Sequence, residues 1–172
     1  MPELRGSTFT LRPYRADDAE SLARAADNAN IRRNLGHGFP HPYTVDDANA
    51  WIEHCRTVSD GSVLLTIDVD GAASGGVGVY PVPKWSPYTF EIGYWLAESL
   101  WGRGVVSEAV KLLTQYTFDE LQAIRVQAHV YDWNPASARV LEKNRFTLEG
   151  RLRGAVHLDG RTGDCLAYGR LR

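Results

Sequence analysis

From Leu100 to Val110 the chain reads LWGRGVVSEAV, a pair of glycines set between a strand-like run and an amphipathic helix. Before it, Glu91 to Leu96 (EIGYWL) is aromatic and β-branched enough for a strand. After it, Val106, Ala109, Val110, Leu113 and Thr117 recur at helical spacing, with Glu108 near the positive helix end. The first N–H groups of a helix lack intrahelical partners, and glycine lets an anion come close to the main chain. Gly102 and Gly104 therefore mark a candidate backbone cradle for phosphate. No Lys and Ser/Thr pair follows them as in a P-loop, and the spacing is not G-x-G-x-x-G, so ATP and NAD are poor matches.

An anion bound here must be captured locally, because the bulk charge does not favour one. The 172 residues carry 19 basic and 21 acidic side chains, a formal net charge of -2, which argues against nucleic acid or an anionic membrane as partner. With 44% hydrophobic residues the chain is expected to form a single domain over residues 1–172. Cys55 and Cys165 are isolated, which suits a reducing compartment. The histidines at 37, 41, 54, 129 and 157 show no metal-ligand spacing, so no metal is expected. The opening segment lacks the apolar core of a signal peptide and no run is long enough for a membrane span, which points to a cytoplasmic protein.

Local signals order the rest of the chain. Ser7 to Arg12 alternates as a first strand; Asp17 with Glu20 resembles a capping box for a helix running brokenly toward Leu35, and GHGFPHPY breaks it. Thr44 with Asp47 repeats that pattern ahead of Ala48, Trp51, Ile52 and Cys55. Strands Ser62 to Val69 and Ala73 to Pro81 flank the turn Asp70-Gly71, and Tyr88 to Leu96 follows. Helix from about Val106 to Leu121, strand Arg125 to Val130, and a helix capped by Asn134 with Pro135 at its first position come next. Two strands joined near Asp159-Gly160 complete the order βααβββαβαββ.

In these segments the chain resembles the GNAT N-acetyltransferase superfamily, in particular the branch of the ribosomal-protein N-terminal acetyltransferases. TLRPY, PYTVDDANAWIE, EIGYWLAESLWGRGVVSEAV and NPASARVLEKNRF are similar to successive segments of that branch, in order and spacing, over nearly the whole chain. The resemblance implies an α/β fold: a mixed, twisted, mostly antiparallel sheet, splayed between its fourth and fifth strands and flanked by about four helices. Acetyl-CoA would lie in the opening as co-substrate. The implied cofactor-binding residues are Trp95 and Leu96 on the fourth strand, Trp101, Gly102, Arg103, Gly104, Val105 and Val106 in the loop and helix start, and Asn134. Two positions depart from the family pattern. Val106 stands where Gly or Ala is usual, implying weaker cofactor affinity. Arg145 stands where glycine is usual, so that Asn144 is expected to take the left-handed conformation.

The family's chemistry needs a base for the amine and a proton for the departing thiolate. Glu91 alternates with Phe90 and Ile92, and a glutamate matching its position acts as general base in relatives; burial is expected to raise its pKa. A solvated glutamate on a half-buried strand is the competing reading, and His129 is a second candidate base. Ser137 matches the branch's N-x-x-S pattern, where the serine protonates the thiolate; Tyr131 is the alternative acid. Asn134 can equally serve as a plain helix cap. His37, Phe39, His41, Tyr43, Trp85 and Tyr88 lie in segments that frame the acceptor pocket in the family, or pack as loops, and Asp159 and Asp164 either attract a cationic amine or hold turns. The implied activity is acetyl transfer to a primary amine, of a protein N-terminus or a small molecule, by direct attack in a ternary complex. A non-catalytic acyl-CoA-binding module of the same fold is the alternative, and homodimerisation is left open.

Overall fold

Apolar alternation on either side of Asp70-Gly71 builds the centre of an eight-stranded sheet. The computed structural model describes residues 1–84 and 86–172. Its elements are β1 (Leu4–Arg5), β2 (Thr10–Arg12), α1 (Ala19–Ala26), α2 (Ala29–Arg32), α3 (Val45–Thr57), β3 (Val63–Val69), β4 (Ala72–Pro81), β5 (Thr89–Leu96), α4 (Val105–Asp119), β6 (Arg125–Tyr131), α5 (Pro135–Lys143), β7 (Thr147–Leu158) and β8 (Arg161–Leu171). The strands lie in the order β1-β2-β3-β4-β5-β6-β8-β7. Every neighbouring pair is antiparallel except β5 and β6.

That exception shapes the molecule. β5 pairs with β6 only through Thr89, Phe90 and Glu91, whereas it pairs with β4 as far as Leu96, and β6 pairs with β8 as far as Tyr131. Past Glu91 the two strands part, and the sheet opens as the family resemblance implies. Two clusters cover its faces. On one, Phe90, Ile92 and Leu96 of β5 meet Val105, Ala109, Val110 and Leu113 of α4, with Leu141 of α5. On the other, Leu64 and Ala73 meet Leu22, Ala23 and Ala26 of α1 and Ala48, Ile52 and Cys55 of α3.

The sequence-level expectations hold where the signal is local. The Thr44 hydroxyl accepts from the Asp47 N–H at 3.2 Å, and the Asp47 carboxylate accepts the Thr44 N–H at 2.8 Å. Asp70 and Gly71 both have positive φ, 54° and 83°, as the twist of a two-residue hairpin requires. Three expectations need correction. The first strand is not continuous from Ser7: Gly6 to Phe9 form a turn between β1 and β2, and the Ser7 hydroxyl binds Glu108 at 2.6 Å. Asp17 caps no helix among the described residues; Asp18 accepts the Arg15 N–H at 2.7 Å and forms a buried ion pair with Arg12 at 2.7 Å, which also reaches Asp68 at 2.6 Å. Finally, Arg145 itself is left-handed at φ 63°, while Asn144 is not, because its side chain is committed elsewhere. Asn144 Nδ2 donates to the Ser107 and Val140 carbonyls at 3.0 and 2.8 Å, tying α5 to the first turn of α4.

Candidate active site

Among the described residues, the opening beyond Glu91 leaves β5 from Ile92 to Leu96 with no strand neighbour on its β6 side. The loop that follows turns through Gly102 at φ 76° and Gly104 at φ 82°, a region that costs other residues on the order of 1 kcal/mol. Gly104 is the N-cap of α4. From Gly102 to Ser107 the main-chain N–H groups have no acceptor among the described residues; the first engaged is Glu108, which donates to the Gly104 carbonyl at 3.0 Å. A Cβ at either glycine would meet nothing within 4 Å, so the space before these N–H groups is open. This is a fit for the diphosphate of a nucleotide-like cofactor.

The neighbouring side chains are arranged around that opening. Trp101 closes the loop by donating its indole N–H to the Leu96 carbonyl at 2.8 Å. Arg103 is exposed, Val105 is buried, and Val106 packs against the core, leaving its N–H as its contribution to the cradle. Glu108, noticed in the sequence for its place near the helix start, is held by the Ser7 N–H at 3.0 Å. Asn134 caps α5 by accepting the Ser137 N–H at 3.2 Å.

Sheet alternation then separates two polar groups onto opposite faces. On the α4 side, the Tyr94 hydroxyl lies 2.8 Å from Ser137 Oγ and donates to the Ser137 carbonyl at 3.2 Å. Burial pushes the Tyr94 phenol well up, so it keeps its proton. On the other side, Glu91 Oε1 lies 3.1 Å from His129 Nδ1, and Gln127 donates to Glu91 Oε2 at 3.2 Å. The expectation of a raised Glu91 pKa is overturned: the His129 contact holds the carboxyl below its usual range against the opposing effect of burial, with Gln127 adding to it. Glu91 in turn raises the His129 pKa above its ordinary 6.5.

Facing the same side as Glu91 is a cavity of about 680 Å³ whose lining includes Gly93 and Trp95 of β5, Phe39, Tyr43, Tyr14, Trp51 and Tyr80. Phe39 and Tyr43 are thus pocket residues. His37, His41 and Tyr88 are not: His37 Nε2 meets the His157 carbonyl at 2.6 Å, His41 stands 3.5 Å from Asp27, and Tyr88 is exposed. Trp85 lies outside the described residues. Tyr131 packs with Trp133 and the cluster of Val156, Leu158 and Cys165. Asp159 and Asp164 hold Arg32 and Arg151 at 3.3 and 2.8 Å. Sequence reasoning missed Tyr94, Gln127, Tyr14, Trp51 and Tyr80; the alternation that singled out Glu91 would also have exposed Tyr94 as its opposite.

A sheet parted between two parallel strands, with an open N–H cradle at the following helix, is the arrangement that the GNAT resemblance implies for an acyl-CoA-dependent transferase. Comparison with known proteins assigns it. The model of the acetyltransferase (GNAT) domain matches residues 8–147, and the chain belongs to that family. It is 30% identical to the probable N-acetyltransferase YjcK of Bacillus subtilis, over 91% of this chain and 90% of that protein. It resembles the structure of Mycobacterium smegmatis RimJ in complex with CoA-disulfide, with a TM-score of 0.84 and 25% identity, covering 99% of this chain and 86% of that one. It also shares its fold with the microcin C7 self-immunity acetyltransferase MccE, solved with acetyl-CoA and AMP, at TM-score 0.81 and 23% identity over 97% and 94% of the two chains. The protein is an acetyl-CoA-dependent N-acetyltransferase of the GNAT family. No helix among the described residues is long and apolar enough to cross a membrane.

Proposed function

We propose that the protein acetylates a primary amine, of a small molecule or a protein N-terminus, by direct attack within a ternary complex. The observation that carries this reading is the placement of the Glu91–His129 and Tyr94–Ser137 pairs on opposite faces of β5, at the level where the sheet parts. Acetyl-CoA supplies the acyl carbon as a thioester. Its diphosphate fits the N–H groups from Gly102 to Val106, its pantetheine arm the free edge of β5 at Trp95 and Leu96, and Asn134 borders the same opening at the start of α5.

The amine must lose a proton and the departing sulfur must gain one. On the acceptor face, Glu91 and His129 act as one base: the carboxylate keeps the ring basic, and the neutral ring takes the proton. On the cofactor face, the Ser137 hydroxyl donates toward the sulfur and the Tyr94 phenol, which retains its proton, stands within reach to replace it. The amine nitrogen bonds to the acyl carbon as the carbon–sulfur bond breaks, so charge and protons balance across the two faces.

The test is the pH dependence of kcat/KM with one accepted amine. Because Glu91 raises the His129 pKa, the acid limb is expected above 6.5. Glu91→Gln removes that support; the limb should move to lower pH and the plateau fall about tenfold or more. An unmoved limb would remove the pair as base.

A further inference from the structure

The lining of the cavity on the acceptor face includes the rings of Tyr14, Phe39, Tyr43, Trp51, Tyr80 and Trp95, with the His54 imidazole beside Trp51 at 5.4 Å and Tyr94 of β5. Phe39 stands 5.0 Å from Tyr43 and 5.7 Å, edge-on, from Trp95, centre to centre; Trp51 stands edge-on to Tyr14 at 6.4 Å. These spacings leave the rings as mutually braced walls. Gly76 forms part of the lining, and a Cβ there would fall 2.7 Å from the Tyr14 hydroxyl and 2.9 Å from Trp95 Nε1, so glycine is what lets the two rings meet over the strand.

The charge in this cavity is as informative as its shape. Among the described residues, no lysine or arginine lines it, and Asp47 is the single carboxylate in the lining. Asp47 Oδ2 is already engaged by the Thr44 N–H and, at 2.6 Å, by the Thr44 hydroxyl. Burial pushes the Tyr43 phenol up to about 12, so that wall stays neutral at working pH. An acidic acceptor would find no lysine or arginine there, only the His54 imidazole beside Trp51. A polyamine would lose its hydration against one committed carboxylate, and a peptide would set its main-chain polar groups against ring faces.

We infer that the acceptor is a small amine whose body is an aromatic ring or a group of similar apolar bulk, seated among these rings with its nitrogen toward Gly93–Trp95 of β5. This rests on the amine-acetylation reading above and narrows it. The ring body is desolvated and packed by the walls, which favours it over a short aliphatic amine through apolar burial and offset or edge contacts.

The experiment compares kcat/KM, by thiol release at saturating acetyl-CoA, for 2-phenylethylamine, tryptamine, ethylamine, spermidine and a hexapeptide with a free N-terminal alanine. The two ring amines should exceed ethylamine about 100-fold and the other two about tenfold or more. Spermidine or the hexapeptide as the best substrate would overturn the inference while leaving amine acetylation standing. Product from none of the five, with acetyl-CoA still bound in a calorimeter, would overturn both. Phe39→Ala, on a loop, and the milder Trp51→Phe should each reduce kcat/KM for 2-phenylethylamine more than for ethylamine, about tenfold more for Phe39→Ala. Equal losses on both amines would show that the rings only support the fold.

Discussion

The two sides of the parted sheet are built from different materials. On the proposed cofactor side the groups on offer are main-chain N–H groups, from Gly102 to Ser107, contributed by one continuous segment. On the proposed acceptor side they are mostly rings, brought from β4, β5, α3 and the segments around Tyr14 and Phe39. A backbone site needs only the right φ values and an unfilled space, so it tolerates Val106 in place of a smaller residue. A side-chain site changes its chemistry with each substitution. The first side can therefore stay constant while the second is retuned to a new amine.

The largest effect should come from filling the cradle. Gly104→Val adds a β-branched side chain at φ 82°, in space that is otherwise open, and acetyl-CoA affinity should fall about 100-fold. An unchanged Kd would break the contrast, because the backbone would then not be the binding surface. Ser137→Ala comes next, with transfer slowed about 100-fold and acetyl-CoA affinity held within a few-fold. If only thermal stability changed, the hydroxyl would be structural. Tyr94→Phe removes the hydroxyl behind Ser137; a rate loss of about tenfold and a stability loss of about 1 kcal/mol are expected in kinetics and denaturant melts. A fully active Tyr94→Phe would leave Ser137 to act alone.

Smaller effects sharpen the same comparison by touching only the scaffold. Asn134→Ala should cost about 1 kcal/mol as a lost helix cap, read in urea unfolding. If acetyl-CoA affinity fell more than stability, Asn134 would belong to the cofactor side as well. Arg145→Gly relieves a left-handed residue and should add up to about 1 kcal/mol with no change in either substrate's KM. A stability loss would mean that the arginine side chain matters more than its backbone.

The same division explains what could be read from the sequence. Thr44 with Asp47, Asp70-Gly71, Asn134-Pro135 and the glycine pair are signals contained in a few residues, and each formed as expected. A capping pattern is local and points to Asp17 with Glu20, whereas the carboxylate that accepts the Arg15 N–H is Asp18, and its partner Arg12 also bridges to Asp68 on a distant strand. Asparagine suits a left-handed turn, but the Asn144 amide holds α4 through Ser107, and Arg145 takes the left-handed conformation instead. Glu91 was legible by alternation, but the direction of its pKa shift depends on His129, across a parallel pairing that no local pattern discloses. The pocket rings fared worst. Trp51 sits at core spacing in an amphipathic helix, and nothing in that spacing distinguishes a wall facing a cavity from one facing the interior.

The most direct test is calorimetric titration of acetyl-CoA into the wild-type protein and into Gly104→Val, with ATP and NAD as comparison ligands. Micromolar-scale binding of acetyl-CoA alone by the wild type, weakened about 100-fold in the variant, is the predicted result. Equal affinity in both proteins would contradict the account, since the cofactor would then be held somewhere other than the main-chain cradle at the start of α4.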